Sequence, residues 1–155
     1  MKRRTFLFTT SAAILSRPAF AVSCDFEICR SEAEWRARLS EAEYLVLREE
    51  DTERPYSSPL NDETRPGTYH CRGCDLPLYD AGAKYDSGTG WPSFFESLPD
   101  AVGTRTDRRY VFQVRTEVHC RRCGGHLGHI FDDGPEPTGK RHCLNGLSLV
   151  FVAAG

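Results

Sequence analysis

Two C-x-x-C pairs constrain this 155-residue chain more than any other feature: Cys71-Arg-Gly-Cys74 and Cys120-Arg-Arg-Cys123, separated by forty-five residues. Thiolates two residues apart on a tight turn converge on one centre, and Zn²⁺ takes four such ligands tetrahedrally. If both pairs bind one ion, Cys71, Cys74, Cys120 and Cys123 form a closed structural site. No position is then left open for substrate, and two distant parts of the chain must meet there. The alternative is a pair of disulfides, which an oxidising compartment would favour.

The compartment is itself written in the sequence. Lys2-Arg3-Arg4 precedes an apolar run from Thr5 to Leu15 that is short for a bilayer span, and Ala19-Phe20-Ala21 supplies small residues suited to cleavage. Arg3-Arg4-Thr5-Phe6-Leu7 is similar to the twin-arginine export signal, which carries folded proteins. Residues 1–21 therefore read as a signal peptide, and the expected location is the bacterial periplasm. Alternatives are an uncleaved membrane anchor and a lipoprotein acylated at Cys24. Export after folding would let zinc load in the reducing cytosol before the thiols meet an oxidising environment. Residues 22–30 then form a polar arm carrying Cys24 and Cys29, and residues 31–155 form the folded domain.

Within that domain, Ser31-Glu-Ala-Glu34 and Ser40-Glu-Ala-Glu43 are capping boxes, predicting two short helices. Residues 52–68 carry Pro55, Pro59, Pro66 and Gly67 and predict an extended connection. Eight of the nine prolines and all thirteen glycines lie from residue 52 on, at turn-like intervals. Tyr110–Val118 reads as the longest strand, Leu147–Val152 as a terminal strand, and Asp133-Gly134-Pro135 and Pro137-Thr138-Gly139 as turns. The fold class is mainly β, with small N-terminal helices ahead of an antiparallel body. A net charge of −2 offers no basic face for nucleic acid, which argues against a zinc-ribbon binding module. No βαβ setting surrounds a C-x-x-C pair, as a thioredoxin-like oxidoreductase would need.

Seven cysteines leave one over, Cys143, in Arg141-His142-Cys143-Leu144-Asn145. Flanking Arg141 and His142 predict an electropositive setting that favours the thiolate. His126-Leu-Gly-His129, just after the second pair, offers acid–base partners; a metal site or surface histidines are the other readings of that pair.

Taken together, Gly90-Trp91-Pro92-Ser93-Phe94, Arg115-Thr-Glu-Val-His-Cys120, His126–Pro135 and Pro137–Asn145 resemble the methionine-R-sulfoxide reductases of the B type, in order and across most of the chain. Thr52–Tyr56 and the two cysteine pairs fit the same pattern. The resemblance implies a barrel-like body of two antiparallel β-sheets and one structural Zn²⁺ per chain. It implies thiol-dependent reduction of methionine-R-sulfoxide, protein-bound or free, in repair of oxidised exported proteins. Cys143 becomes the nucleophile, which is left as a sulfenic acid. His126 and His129 supply the proton, Asn145 and Asp133 order the site, Arg141 steadies the thiolate, and Trp91 and Phe94 receive the substrate. The expected partners are methionine sulfoxide or oxidised proteins and a thioredoxin-like or other thiol donor, with the chain itself monomeric.

Many members of that family carry a resolving cysteine where this chain has Thr89. Three routes remain for reducing the sulfenic acid: attack by Cys24 or Cys29, direct reduction by an external thiol, or a disulfide from another protein. Cys24 and Cys29 could also simply bond to each other. Smaller departures are His142 for a common tyrosine, Gly146-Leu147 for Ser-Ala, and Phe112-Gln113 for Gly-Met.

Overall fold

The computed structural model describes residues 24–110 and 113–155. The signal segment 1–21, the start of the arm at 22–23 and Phe112 lie outside the described residues.

Both expected helices form. α1 (Glu32–Arg38) and α2 (Glu41–Glu49) each begin with a reciprocal cap. The Ser31 and Ser40 hydroxyls accept from the N–H of Glu34 and Glu43, and those glutamates accept from the serine N–H groups at 2.7 and 2.8 Å. Each box satisfies two donors that a helix start leaves unpaired. Such short helices are marginal alone and hold by burying Trp35, Tyr44, Val46 and Leu47. Arg30 and Arg48 stack on the Trp35 ring, and Arg48 donates to the carbonyl of Cys123 at 3.1 Å, tying α2 to the second cysteine turn.

Two antiparallel sheets follow. The first contains β1 (Gly67–Cys71), β2 (Pro77–Asp80) and β9 (Leu149–Ala153) in the order β2-β1-β9. The second has six strands in the order β3-β4-β8-β7-β6-β5. These are β3 (Lys84–Tyr85), β4 (Ser93–Phe94), β5 (Val102–Tyr110), β6 (Gln113–Cys120), β7 (His126–Phe131) and β8 (Arg141–Leu144). Tyr69, Leu78, Tyr79, Phe94, Val118, Leu127, Leu144 and Leu149 are fully buried between the layers.

The structure corrects the long strand read at Tyr110–Val118. Tyr110 ends β5 and pairs with Gln113 at the start of β6, so that run belongs to two strands. β5 itself carries Arg105, Thr106, Asp107 and Arg108, a polar run with no apolar alternation, and it is held by ladder pairing and ion pairs. The terminal strand begins two residues later than read, because a 3-10 turn occupies Gly146–Ser148. The connection at 52–68 is largely irregular with a short 3-10 turn, as its prolines predict.

The arm is packed against the body. Phe26 sits over Gly124, where a Cβ would collide with its ring, and meets His119 edge-on at 5.7 Å. The Ile28 N–H donates to the Arg122 carbonyl, and Glu27 pairs with Arg122 at 3.6 Å. Cys24 and Cys29 are bonded to each other.

Candidate functional site

Cys143 stands in β8, flanked on both sides. It pairs with Ser93 of β4 and with His129 of β7. Gly128 permits the close approach, because a Cβ there would strike the Cys143 carbonyl. The thiol is half-buried and opens into a cavity of about 130 Å³ lined by Thr52, Trp91, Arg115, Gly128, His129, Phe131, Leu144 and Asn145. Larger cavities lie elsewhere, and this one is singled out by the nucleophile, the imidazole and the aromatic wall that share it.

Alternation along β8 separates the two neighbours of Cys143. His142 points to the opposite face, into the core, hydrogen-bonded to the Tyr79 hydroxyl at 3.0 Å. Burial pushes its pKa down to about 4. It is therefore neutral and adds no positive charge at the thiol, which corrects the electropositive role expected for it. Arg141 lies on the thiol's face. Asp133 grips it with two bonds of 2.8 Å, it stacks on Phe131, and the charge of Cys143 is among those keeping it protonated. Asp133 thus acts on the site through Arg141.

His129 and His126 occupy the cavity wall and the layer behind it. The Nε2–H of His129 donates to Asp107 Oδ2 at 2.8 Å, and the Nδ1–H of His126 donates to Glu117 Oε1 at 2.8 Å. Burial lowers the His129 pKa, partly offset by Asp107. Burial raises the Glu117 carboxyl, but His126 and Arg105 outweigh it and bring the net shift below the usual carboxylate range. Asp107, Glu117 and Arg115 are absent from the sequence-based site. The available signal was an acidic residue inside a basic run (Asp107) and one within an otherwise alternating strand (Glu117).

Glu53 was missed as well, and it organises the near wall. Its carbonyl accepts from Trp91 Nε1 at 3.0 Å and its N–H donates to Asn145 Oδ1 at 3.0 Å. Its carboxylate accepts from the N–H groups of Gly146 and Leu147. Burial raises that carboxyl, against the pull of those two donors. Asn145 also donates to the Leu127 carbonyl at 3.2 Å, so its amide is held from both ends. Phe94 does not reach the cavity. It lies fully buried between Tyr69 and Tyr79, because β4 turns it inward, and it is a core residue rather than a substrate contact.

The four remaining cysteines converge. Their sulfurs all lie within 4.8 Å of one another, with Cys71–Cys123 at 3.7 Å and Cys74–Cys120 at 3.5 Å. These separations are far longer than a disulfide and match a tetrahedral metal–thiolate centre, where metal–sulfur bonds of about 2.3 Å put sulfurs about 3.8 Å apart. The cluster can hold a metal ion, and it joins the end of β1 to the end of β6, one strand from each sheet. Thr89 Oγ1 lies 3.8 Å from Cys143 Sγ, while Cys24 and Cys29 are paired together on the arm.

A family profile described as the SelR domain matches residues 39–153. The chain is 48% identical over 126 residues to the peptide methionine sulfoxide reductase MsrB of Agrobacterium fabrum, covering 81% of this chain and 93% of that protein. It is 50% identical over 123 residues to the protein of the same name from Pseudomonas entomophila, covering 79% and 94%. It is 47% identical over 119 residues to the chloroplastic peptide methionine sulfoxide reductase B1 of rice, covering 77% and 56%. With a nucleophile, an imidazole and a four-cysteine cluster in one fold that matches along this length, the chain belongs to the methionine-R-sulfoxide reductases of the B type.

Proposed function

We propose that Cys143 carries out the family's thiol-dependent reduction of methionine sulfoxide by direct attack on the sulfoxide sulfur. The observation that carries this reading is the shared cavity, which brings Cys143, His129, Trp91 and Asn145 together. The Trp91 and Phe131 faces suit the thioether methyl and side chain, while the polar wall suits the S–O dipole. Arg141, on the thiol's face, favours the thiolate. The oxygen leaves the substrate as it gains a proton, which His129 is placed to supply. Cys143 is oxidised to the sulfenic acid and methionine is released.

In the four-cysteine cluster we assign zinc, on the all-sulfur donor set, the tetrahedral spacing and the absence of an open ligand position. It would hold the two sheets together and stay outside the chemistry. For recycling we assign direct reduction by an external thiol, of the thioredoxin type or smaller. Thr89 offers no second sulfur, and Cys24 and Cys29 are engaged with each other. A second reading, resolution by the arm, is favoured by the exposure of Cys24. The Cys24–Cys29 disulfide also supports export to an oxidising compartment, the location that Arg3-Arg4 suggests.

The decisive measurement is reduction of racemic dabsyl-methionine sulfoxide with dithiothreitol. Wild type should consume half of it, the R epimer, and Cys143→Ser none. Equal turnover by both proteins would overturn the assignment.

A further inference from the structure

The two histidines face carboxylates from different strands and in opposite senses. Asp107 of β5 takes the Nε2 side of His129, and Glu117 of β6 takes the Nδ1 side of His126. Both carboxylates are buried, Glu117 with only 2% exposure. An ionised carboxylate only accepts, so the nitrogen it faces carries the proton. Arg115 pairs with Asp107 at 2.6 Å and Arg105 with Glu117 at 3.1 Å, so each acid faces a guanidinium as well as a histidine. With those nitrogens carrying the proton, the other ring nitrogen is the free one, Nδ1 in His129 and Nε2 in His126.

His126 Nε2 is buried and has no hydrogen-bond partner among the described residues. Such an atom costs about 1–3 kcal/mol unless something polar meets it. His126 lines a cavity of about 360 Å³ together with Asp107, Arg115, His129, Glu49, Glu50 and Asp51. Thr52, Arg115 and His129 also line the Cys143 cavity, so the two spaces adjoin. The imidazole rings lie 5.4 Å apart.

We propose that Asp107 and Glu117 are positioning residues of the reduction, holding His129 and His126 in opposite tautomers so that protons pass from the second cavity to the sulfoxide oxygen. This rests on Cys143 as the nucleophile. The Cys143 thiolate, the sulfoxide and one proton become the sulfenic acid and the thioether. The substrate's sulfur–oxygen bond breaks, a bond between that oxygen and the Cys143 sulfur forms, and the substrate sulfur is reduced as Cys143 is oxidised. His129 takes up a proton at Nδ1 from water in the adjoining cavity, becoming an imidazolium held by Asp107, and passes it to the sulfoxide oxygen. The free Nε2 of His126 accepts a hydrogen bond from that water and orders it.

The test uses the full chain with its metal, labelled with ¹⁵N at histidine and assigned with His126→Gln and His129→Gln. Imidazole ¹⁵N shifts should show His126 protonated at Nδ1 and His129 at Nε2. Asp107→Asn and Glu117→Gln should redistribute the respective tautomer and slow methionine formation in a single turnover without reductant. The expected loss is about tenfold to a hundredfold, with metal content unchanged, and Asp107→Glu should recover part of it. Either histidine in the opposite tautomer in the wild type would overturn the proposal, and that reading stands even if a variant fails to fold. Redistributed tautomers with an undiminished single-turnover rate would overturn it too. Methionine formation by Cys143→Ser would instead sink the nucleophile assignment and leave the tautomers as measured.

Discussion

Thr89 Oγ1 lies 3.8 Å from Cys143 Sγ, and its hydroxyl is also linked to Ser87 at 2.8 Å. A sulfur in place of that oxygen would stand within a small side-chain rotation of the nucleophile. Thr89→Cys is therefore expected to trap a disulfide with Cys143 after one equivalent of methionine sulfoxide. Mass spectrometry of the non-reduced digest reads it. The variant should gain turnover with thioredoxin relative to wild type, because the sulfenic acid no longer waits for a second molecule.

Replacing Cys24 and Cys29 by serine together should leave turnover within about twofold of wild type with either dithiothreitol or thioredoxin, since Phe26 and Glu27 still seat the arm. A loss confined to the thioredoxin-driven reaction would move the resolving step to the arm. Steady-state rates with the two donors in parallel make the comparison.

His142 makes stability depend on pH. Its folded pKa of about 4 lies below the unfolded value of about 6.5, so the fold favours the neutral ring. The contribution is complete above about pH 6.5 and declines as acid protonates the unfolded chain first, levelling off near pH 4. The loss is at most about 3 kcal/mol. His142→Tyr should remove that part of the acid sensitivity. Urea midpoints at pH 7 and pH 5 for both proteins check it.

The cysteine cluster predicts one metal ion per chain and a fold that depends on it. Cys120→Ser should lose the metal and fail to give a cooperative unfolding transition, because a structural zinc ion contributes about 10–16 kcal/mol of binding free energy, as large as a typical domain's whole net stability of about 5–15 kcal/mol. Metal analysis and circular dichroism before and after a strong chelator test the same point in the wild type. Intact stability with the metal removed would count against a structural role.

The parts of this protein that were legible in sequence are those specified by close neighbours. Ser31 with Glu34, and Ser40 with Glu43, encode helix starts within four residues, and each cysteine pair encodes its own turn. Cys143, His129, Trp91 and Asn145 meet as the motif order implies. What stayed hidden depends on contacts between distant strands. β5 shows no apolar alternation because its side chains are satisfied by Glu117, Glu50 and Arg115 from elsewhere. Asp107 and Glu117 look like surface charges until the pairing of β5, β6 and β7 sets them against the two histidines. Phe94 sits three residues from Trp91 in one motif, yet the strand between them turns it into the core. Gly146 has a reason visible only in space: a Cβ there would collide with the Ser58 side chain.

The nucleophile's place in the middle of a six-stranded sheet carries a kinetic consequence. Its backbone is paired with β4 on one side and β7 on the other, so the oxidised sulfur cannot swing outward to meet a partner. Under the proposed reduction by an external thiol, oxidant and reductant visit the same doorway in turn, each shutting out the other while it is there. The expected cycle is then a ping-pong exchange in which crowding by one visitor delays the next.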